Sequence, residues 1–140
     1  MLVSLSGSRD QAHEARAKAE YRTFETAIEL YRQDHGGYPA DVNRDIPSGL
    51  EDYLNMSRWP DAPWPDSVYD WDNWDISGED VIQLSIRFCE MGKPSTCNFP
   101  NTEWAENFDV YSAAYFCIEG DCRAHSSKPE DHPGYCLNCQ

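Results

Sequence analysis

The fold is decided by Arg9–His35, RDQAHEARAKAEYRTFETAIELYRQDH, which leads directly into Gly36-Gly37-Tyr38-Pro39. No proline or glycine interrupts the stretch, and Ala, Glu, Arg, Lys and Gln dominate it, so its intrinsic preference is helical. One stripe of side chains recurs at steps of four and three residues: Ala17, Tyr21, Phe24, Ile28, Tyr31 and His35. This spacing predicts one amphipathic α-helix, roughly 40 Å long at about 1.5 Å per residue.

The end of this helix has its own signals. Gly36 can adopt the positive φ that closes a helix at its C-terminus, and Pro39 prevents the helix from resuming. Near the start, Glu14 and Lys18 stand in the favourable order for an i,i+4 ion pair. Because a narrow apolar stripe must lie on a flat surface, the remaining residues are expected to supply a small antiparallel sheet.

The clearest strand is Val81–Phe88, whose residues alternate between two faces as a strand requires. The two faces are Ile82, Leu84, Ile86 and Phe88 on one side and Gln83, Ser85 and Arg87 on the other. Each apolar side chain contributes about 1.5–3 kcal/mol when it is buried. Val81–Phe88 is therefore predicted to be the central strand against the helix.

The stretch Ser67–Ile76 alternates aromatic with acidic residues and predicts a first strand. In that strand Tyr69 and Trp71 are expected to face inward. Asp70 and Asp72 are expected to face outward, toward solvent.

The rest of the chain holds weaker signals. Phe108–Cys117 predicts a further strand, with a short return strand from Cys122. Gly49–Leu54 predicts a short helical turn. From Ser126 onward, proline and glycine are expected to exclude regular structure.

A chain of 140 residues predicts one α+β domain, 1–140. It divides into the N-terminal helix (1–35), a connecting loop with a short helix (36–80), and the sheet with a disulfide-rich C-terminal region (81–140). Mean hydropathy is -0.73, and no run approaches the ~20 apolar residues that cross a bilayer. Met1–Leu5 reads like the cut end of a longer apolar segment.

The net charge of -14 is unevenly placed. Residues 1–35 hold six acids and five bases, whereas residues 36–140 hold nineteen acids and six bases. Such a surface repels phosphate backbones, so no direct contact with nucleic acid is expected. Solubility or cation binding is the simpler use of this charge.

Six cysteines cluster in the C-terminal part: Cys89, Cys97, Cys117, Cys122, Cys136 and Cys139. Such a cluster indicates either a metal site or disulfides formed outside the cytoplasm. A zinc ribbon needs two CxxC pairs, and only Cys136–Cys139 has that spacing. Disulfides are therefore expected.

The pairing of these cysteines is left partly open. Cys89 and Cys97 close a nine-residue loop and are expected to pair. Cys117 and Cys122 flank a four-residue turn and can pair across it, which leaves the two cysteines of the CxxC motif to each other. The competing arrangement ties the tail back to the hairpin through Cys117 and Cys122.

An acidic segment is the best candidate for a metal site, and Ca²⁺ is the metal that its ligands suit. Calcium takes six to eight oxygen ligands, and this segment offers several within a short stretch: Asp66, Asp70, Asp72, Asn73 and Asp75. It is not an EF-hand, because it lacks the glycine at the sixth position. The alternative is that these are only solubilising charges on an exposed strand face.

Five tryptophans are many for this length: Trp59, Trp64, Trp71, Trp74 and Trp104. Exposed, they would form a flat platform for sugar rings. Burial is favoured, because the proline-rich loop around Trp59 and Trp64 needs apolar anchors.

The sequence shows no active site. No Ser or Cys stands with a His and an acid in a recognisable nucleophile arrangement, and there is no glycine-rich phosphate loop. The protein is not expected to be an enzyme.

Two stretches resemble type IV pilins and the pseudopilins of type II secretion. Ala17–Glu20 leading to Ala27–Pro39 is similar to the helix end of that family, which closes through Gly and Tyr-Pro. Leu50–Leu54, followed by Trp59–Trp64 and Tyr69, resembles the short helix and Asp-Pro-Trp turn of major pseudopilins. The resemblance covers residues 1 to about 75. The family's cleavage motif and apolar anchor are absent, so it implies a soluble domain without that anchor.

The resemblance implies a structural subunit that assembles with other copies into a helical filament at the cell surface. Before assembly the subunit would be held in the membrane by the missing anchor, where it would meet the inner-membrane assembly machinery. The contacts left to this fragment would be polar ones through Arg16, Lys18 and Arg22, or these charges are only a solvated helix face. No cofactor is required. The alternative is a minor pilin or free extracellular domain that binds carbohydrate or calcium.

Overall fold

In the computed structural model, a long helix precedes the sheet. The structure describes residues 5–76, 78–90, 98–100, 102–105, 111–126 and 134–139. The side chains of residues 5–7 and 103 are not described. The fold is α+β, as the sequence predicts. Its elements are α1 (Leu5–His35), α2 (Glu51–Leu54), β1 (Val68–Ile76), β2 (Glu79–Arg87), a 3-10 turn (Glu103–Ala105), β3 (Ala113–Glu119) and β4 (Tyr135–Cys136).

The first helix begins one turn earlier than predicted, at Leu5 rather than Arg9, and ends at His35 as predicted. Gly36 follows with a φ of 78°, and its N–H donates a hydrogen bond to the carbonyl oxygen of Arg32 over 2.8 Å. The helix therefore closes through the glycine that the sequence pattern indicates.

The apolar stripe of α1 is buried, except at its C-terminal end. Its buried members are Ala17, Tyr21, Phe24 and Ile28. His35 is exposed and stacks on Tyr31 with ring centroids 3.9 Å apart. The prediction that His35 belongs to the buried stripe is therefore wrong. The reason is that the last turn of α1 lies beside Tyr53 of α2 rather than against the sheet.

Aromatic contacts join α1 to the sheet. Tyr21 stacks on Phe116 of β3 with ring centroids 4.2 Å apart, and Phe24 meets Tyr69 of β1 edge-on at 5.2 Å. The predicted inner face of the central strand is buried throughout: Ile82, Leu84, Ile86 and Phe88. Three tryptophans also belong to the core, as the sequence favours: Trp59, Trp64 and Trp71.

The strands are arranged in the order β1-β2-β3-β4, with β1–β2 and β2–β3 antiparallel. The fourth strand pairs with β3 in parallel, so the prediction of a wholly antiparallel sheet is wrong. Residues 120–134 separate β3 from β4, which is enough chain for the crossover that a parallel pair needs.

Three predictions for the C-terminal part also need correction. The return strand predicted from Cys122 is absent, because residues 121–126 form bends and irregular chain. β3 occupies Ala113–Glu119 rather than Phe108–Cys117, and residues 106–110 lie outside the described ranges. Tyr135–Cys136 forms a strand in a region where only irregular structure was predicted.

The outer face of the sheet, meaning the side opposite α1, is covered as well. Asp70 and Asp72 lie there at 7% and 3% exposure, so the prediction that they point into solvent is wrong. Residues 121–126 lie over this face and residues 41–44 lie beside it, with an isolated bridge between Val42 and Trp71. Strand alternation separates two faces without indicating whether the second face is covered.

Disulfides form between Cys117 and Cys122 and within the CxxC motif, Cys136–Cys139, which decides between the two predicted arrangements. Cys89 is disulfide-bonded too, whereas its predicted partner Cys97 lies outside the described residues.

The loop of the CxxC motif closes the edge of β3 beyond β4. The side-chain amide of Asn138 accepts a hydrogen bond from the N–H of Cys117 over 2.8 Å and donates one to its carbonyl oxygen over 2.9 Å. These two bonds reproduce the pairing that a neighbouring strand would make.

Shortening Phe24 tests the packing of α1. Phe24→Ala should lower the free energy of unfolding by about 3–5 kcal/mol, because the ring is buried among Trp59 and Tyr69. Leu30→Ala is the control on the same helix, since Leu30 is 46% exposed, and should change it by less than about 0.5 kcal/mol. Urea denaturation measures both. Equal losses would contradict the packing described here.

Candidate functional site

The outer face of the sheet holds a buried charge network centred on Arg87. Its Nε donates to Asp70 Oδ2 over 3.1 Å, and its Nη2 donates to Asp72 Oδ2 over 3.0 Å. The three side chains are 11%, 9% and 4% exposed, so this is an ion-paired cluster removed from water. Charges in such a place must be paired and hydrogen-bonded, because their desolvation is costly.

Asp72 is the most deeply placed carboxylate of the network. Ser85 Oγ and Gln83 Nε2 both donate to its Oδ2, the latter over 2.8 Å. Burial raises the pKa of Asp72 to about 7, and the nearby Asp70 acts in the same direction. Arg87 and the two neutral donors lower this pKa, but burial outweighs them. Burial therefore favours the protonated form of Asp72 more than water does.

The network attaches two chain segments to the sheet. On one side, the N–H of Arg44 donates to Asp70 Oδ1 over 2.7 Å. On the other, Arg87 Nη1 donates to the carbonyl oxygens of Tyr111 and Ala124. The buried side chain of Gln83 exchanges two further hydrogen bonds with the backbone of Arg123, at 2.7 and 3.0 Å.

The guanidinium of Arg123 shapes the covering segment itself. It donates to the carbonyl oxygens of Asp121, His125 and Ser126 over 2.9, 3.2 and 2.7 Å. Since these bonds all stay within residues 121–126, Arg123 has a structural role.

A cleft of about 300 Å³ opens between these two segments, beside the network. Carboxylates, arginines and aromatic rings converge on it. Its lining includes Asp41, Arg44, Asp70, Asp72, Trp74, Arg87, Tyr111 and His125. Burial raises the pKa of Asp41 and lowers the pKa of Arg44.

The structure does not bring the five predicted calcium ligands together. Asp70 and Asp72 are engaged by Arg87, while Asn73 lies on the opposite face and donates its side-chain N–H to the carbonyl oxygen of Pro39. Asp66 lies in the turn before β1, and Asp75 is exposed at the far end of that strand. Within the described residues, no three acidic, histidine or cysteine side chains form a metal-binding group. Calcium binding stays a prediction from the sequence.

The predicted interface residues are exposed on α1, with Arg16 on one flank of the buried stripe and Lys18 and Arg22 on the other. Lys18 pairs with Glu14 at 3.5 Å, as the i,i+4 spacing predicts, and Arg16 pairs with Glu20 at 3.7 Å. Arg22 is exposed and forms no ion pair within the part of the chain that is described. Of these three side chains, Arg22 is therefore the one best placed to meet another molecule.

Sequence reasoning missed the network and the role of Arg44. The sequence did contain one indication of the network. Two acids alternate along β1, and polar residues with hydrogen-bond donors alternate along β2, so antiparallel pairing places the two sets side by side. The acids are Asp70 and Asp72, and the donors are Gln83, Ser85 and Arg87. No local pattern marks Arg44, because its position depends on the loop that follows α1.

No protein-family model, curated protein or solved structure matches this chain. Among the helices in the described ranges, none combines the length and the apolar composition that crossing a bilayer requires.

Replacing Asp72 tests the charge network by its pH dependence. The pKa of Asp72 is near 7 in the folded protein and near 3.8 ordinarily, so the folded state holds the extra proton between these values. Because the unfolded state loses this proton and the folded state keeps it, the free energy of unfolding falls as the pH rises from about 4 to about 7. Relative to Asp72→Asn, the free energy of unfolding of the unaltered protein should fall over this window by on the order of a few kcal/mol.

Asp75→Asn is the matched control, because Asp75 is an exposed residue of the same strand. Urea denaturation at several pH values measures all three proteins. A difference from Asp72→Asn that stays constant with pH would show that Asp72 is not a buried titrating group.

Proposed function

We propose that this chain is the globular part of a filament subunit of the type IV pilin or pseudopilin kind, a structural protein rather than a catalyst. The observation that carries the proposal is the relation between α1 and the sheet. A helix of 31 residues lies with one stripe buried on the sheet, and the chain continues through a loop into the strands and the disulfides. This order of elements is the one that the sequence resemblance implies.

The surface of α1 supports the same function. Its buried stripe is used within the subunit, while Lys18 and Arg22 are exposed on one flank of that stripe. Arg16 is exposed on the other flank and donates a hydrogen bond to the carbonyl oxygen of Asp61 over 3.2 Å. A filament needs a contact between two different patches of the same protein, because a head-to-tail contact that does not close into a ring continues without limit. The exposed Arg22 of α1 and the acidic remainder of the domain provide two such patches.

The disulfides fit the compartment that this function needs. Bonds such as Cys117–Cys122 and Cys136–Cys139 persist outside the reducing cytoplasm. The proposal therefore places the domain on the outer side of the membrane. An apolar segment ahead of α1 would hold the subunit in the membrane and present it to the assembly machinery.

The carbohydrate-platform alternative loses its main surface. Trp59, Trp64 and Trp71 lie in the core, between 0% and 7% exposed, and are not available to stack on sugar rings. The filament role accounts for more of the described structure.

Filaments sheared from cells that express the complete gene should contain this chain, identified by mass spectrometry and by antibodies raised against the purified domain. The coding sequence upstream of Met1 should encode the apolar segment. Cells whose sheared filaments lack the chain would refute the proposal.

Arg22→Glu tests the helix surface in the same cells. It should reduce filament number at least about tenfold without lowering the amount of folded subunit, since like charges placed opposite each other cost several kcal/mol. Arg58→Glu is the control, because Arg58 is an exposed arginine outside α1. Equal filament numbers in the two variants would remove Arg22 from the interface.

A further inference from the structure

Arg44 differs from the other arginines of the outer face in having no acceptor for its guanidinium among the described residues. Its Nε is buried and forms no hydrogen bond. Arg87 and Arg123, by contrast, donate to carboxylates or carbonyl oxygens. A desolvated donor without an acceptor is costly and rare in folded proteins, so it requires an explanation.

The backbone of Arg44 is also held in an unfavourable conformation. Its φ is 61°, in the left-handed region of backbone conformation that residues other than glycine, asparagine and aspartate rarely adopt. The hydrogen bond from its N–H to Asp70 holds the residue there, and Asp70 is in turn held by Arg87. Strained residues that are maintained by their surroundings are characteristic of ligand sites.

The cleft beside Arg44 offers more than a charge. Trp74 is half-buried in its wall, and Tyr111 is 53% exposed at the same cleft. Aromatic rings of this kind pack well against the flat face of another ring. Arg87 is already engaged by Asp70 and Asp72. Of the two arginines among the described residues that line the cleft, Arg44 is therefore the one that can meet a ligand.

We propose that this cleft binds a small ring-bearing carboxylic acid, whose carboxylate accepts hydrogen bonds from Arg44 and whose ring lies against Trp74 and Tyr111. The planar guanidinium presents two parallel donors that match a carboxylate. A phosphate would bring a second negative charge close to Asp41 and Asp70, which disfavours it. The site lies on the sheet face opposite α1 and is independent of the filament role.

The binding test uses the purified chain and four probes: glucuronate, benzoate, glucose and inorganic phosphate. Isothermal titration calorimetry should detect at least one of the two carboxylates, with glucose and phosphate at least about tenfold weaker. Glucuronate binding alone would assign a sugar acid, and benzoate binding alone an aromatic acid. Failure of both carboxylates, or equal binding of glucose or phosphate, would overturn the proposal.

Arg44→Asn separates a binding role from a structural one. Asparagine tolerates a positive φ and removes the unpaired charge, so the variant should melt at a higher temperature than the unaltered protein. Its affinity for the bound carboxylate should nevertheless be about 10 to 100 times weaker. Unchanged affinity, or a lower melting temperature, would contradict the assignment of Arg44 to a ligand.

Two further variants complete the test. Arg58→Asn is the control for general loss of positive charge, because Arg58 is exposed and does not line the cleft. It should leave affinity unchanged. Trp74→Leu should weaken binding of the carboxylate severalfold by removing the ring surface. If Arg58→Asn weakens binding as much as Arg44→Asn does, the proposal that the carboxylate binds at Arg44 is wrong.

Discussion

The buried guanidinium of Arg87 is the constraint on which the outer half of the structure depends. A charge that has left water must be paired and hydrogen-bonded, and Arg87 meets this requirement through Asp70, Asp72 and two carbonyl oxygens. Those carbonyls belong to Tyr111 and Ala124, which precede and follow β3. The residues next to both ends of β3 therefore have to lie over the outer face of the sheet. The cleft is the space between these residues and the loop at residues 41–44.

The two faces of the sheet are stabilised in different ways. The inner face packs α1 through aromatic rings such as Tyr21 against Phe116, where shape and apolar area decide the contact. The outer face is specified by directional hydrogen bonds among Asp72, Gln83 and Arg123. Because the two faces are opposed, a filament built through α1 would leave the outer face and its cleft open to the surroundings. Assembly and ligand binding would then use separate surfaces of one small domain.

The C-terminal segment protects the sheet from unwanted pairing. An open strand edge invites another strand, and with it aggregation. Here the CxxC loop carries Asn138 to the backbone of Cys117, so β3 is closed beyond the short β4. Residues 39–44 run along the other edge, where Val42 bridges to Trp71. Closed edges suit a subunit whose copies are proposed to meet through the helix surface rather than through the sheet.

The sequence by itself determined α1, its end at Gly36 and the central strand, since residue spacing and glycine chemistry act locally. Only the tertiary structure decided that Asp70 and Asp72 are buried. The pattern of β1 separates its two faces, but whether the second is covered depends on residues 121–126, far along the chain. The environment of Arg44 could not be predicted from the sequence for the same reason. Its Nε lacks a hydrogen-bond acceptor because of the side chains that the folded chain places around it.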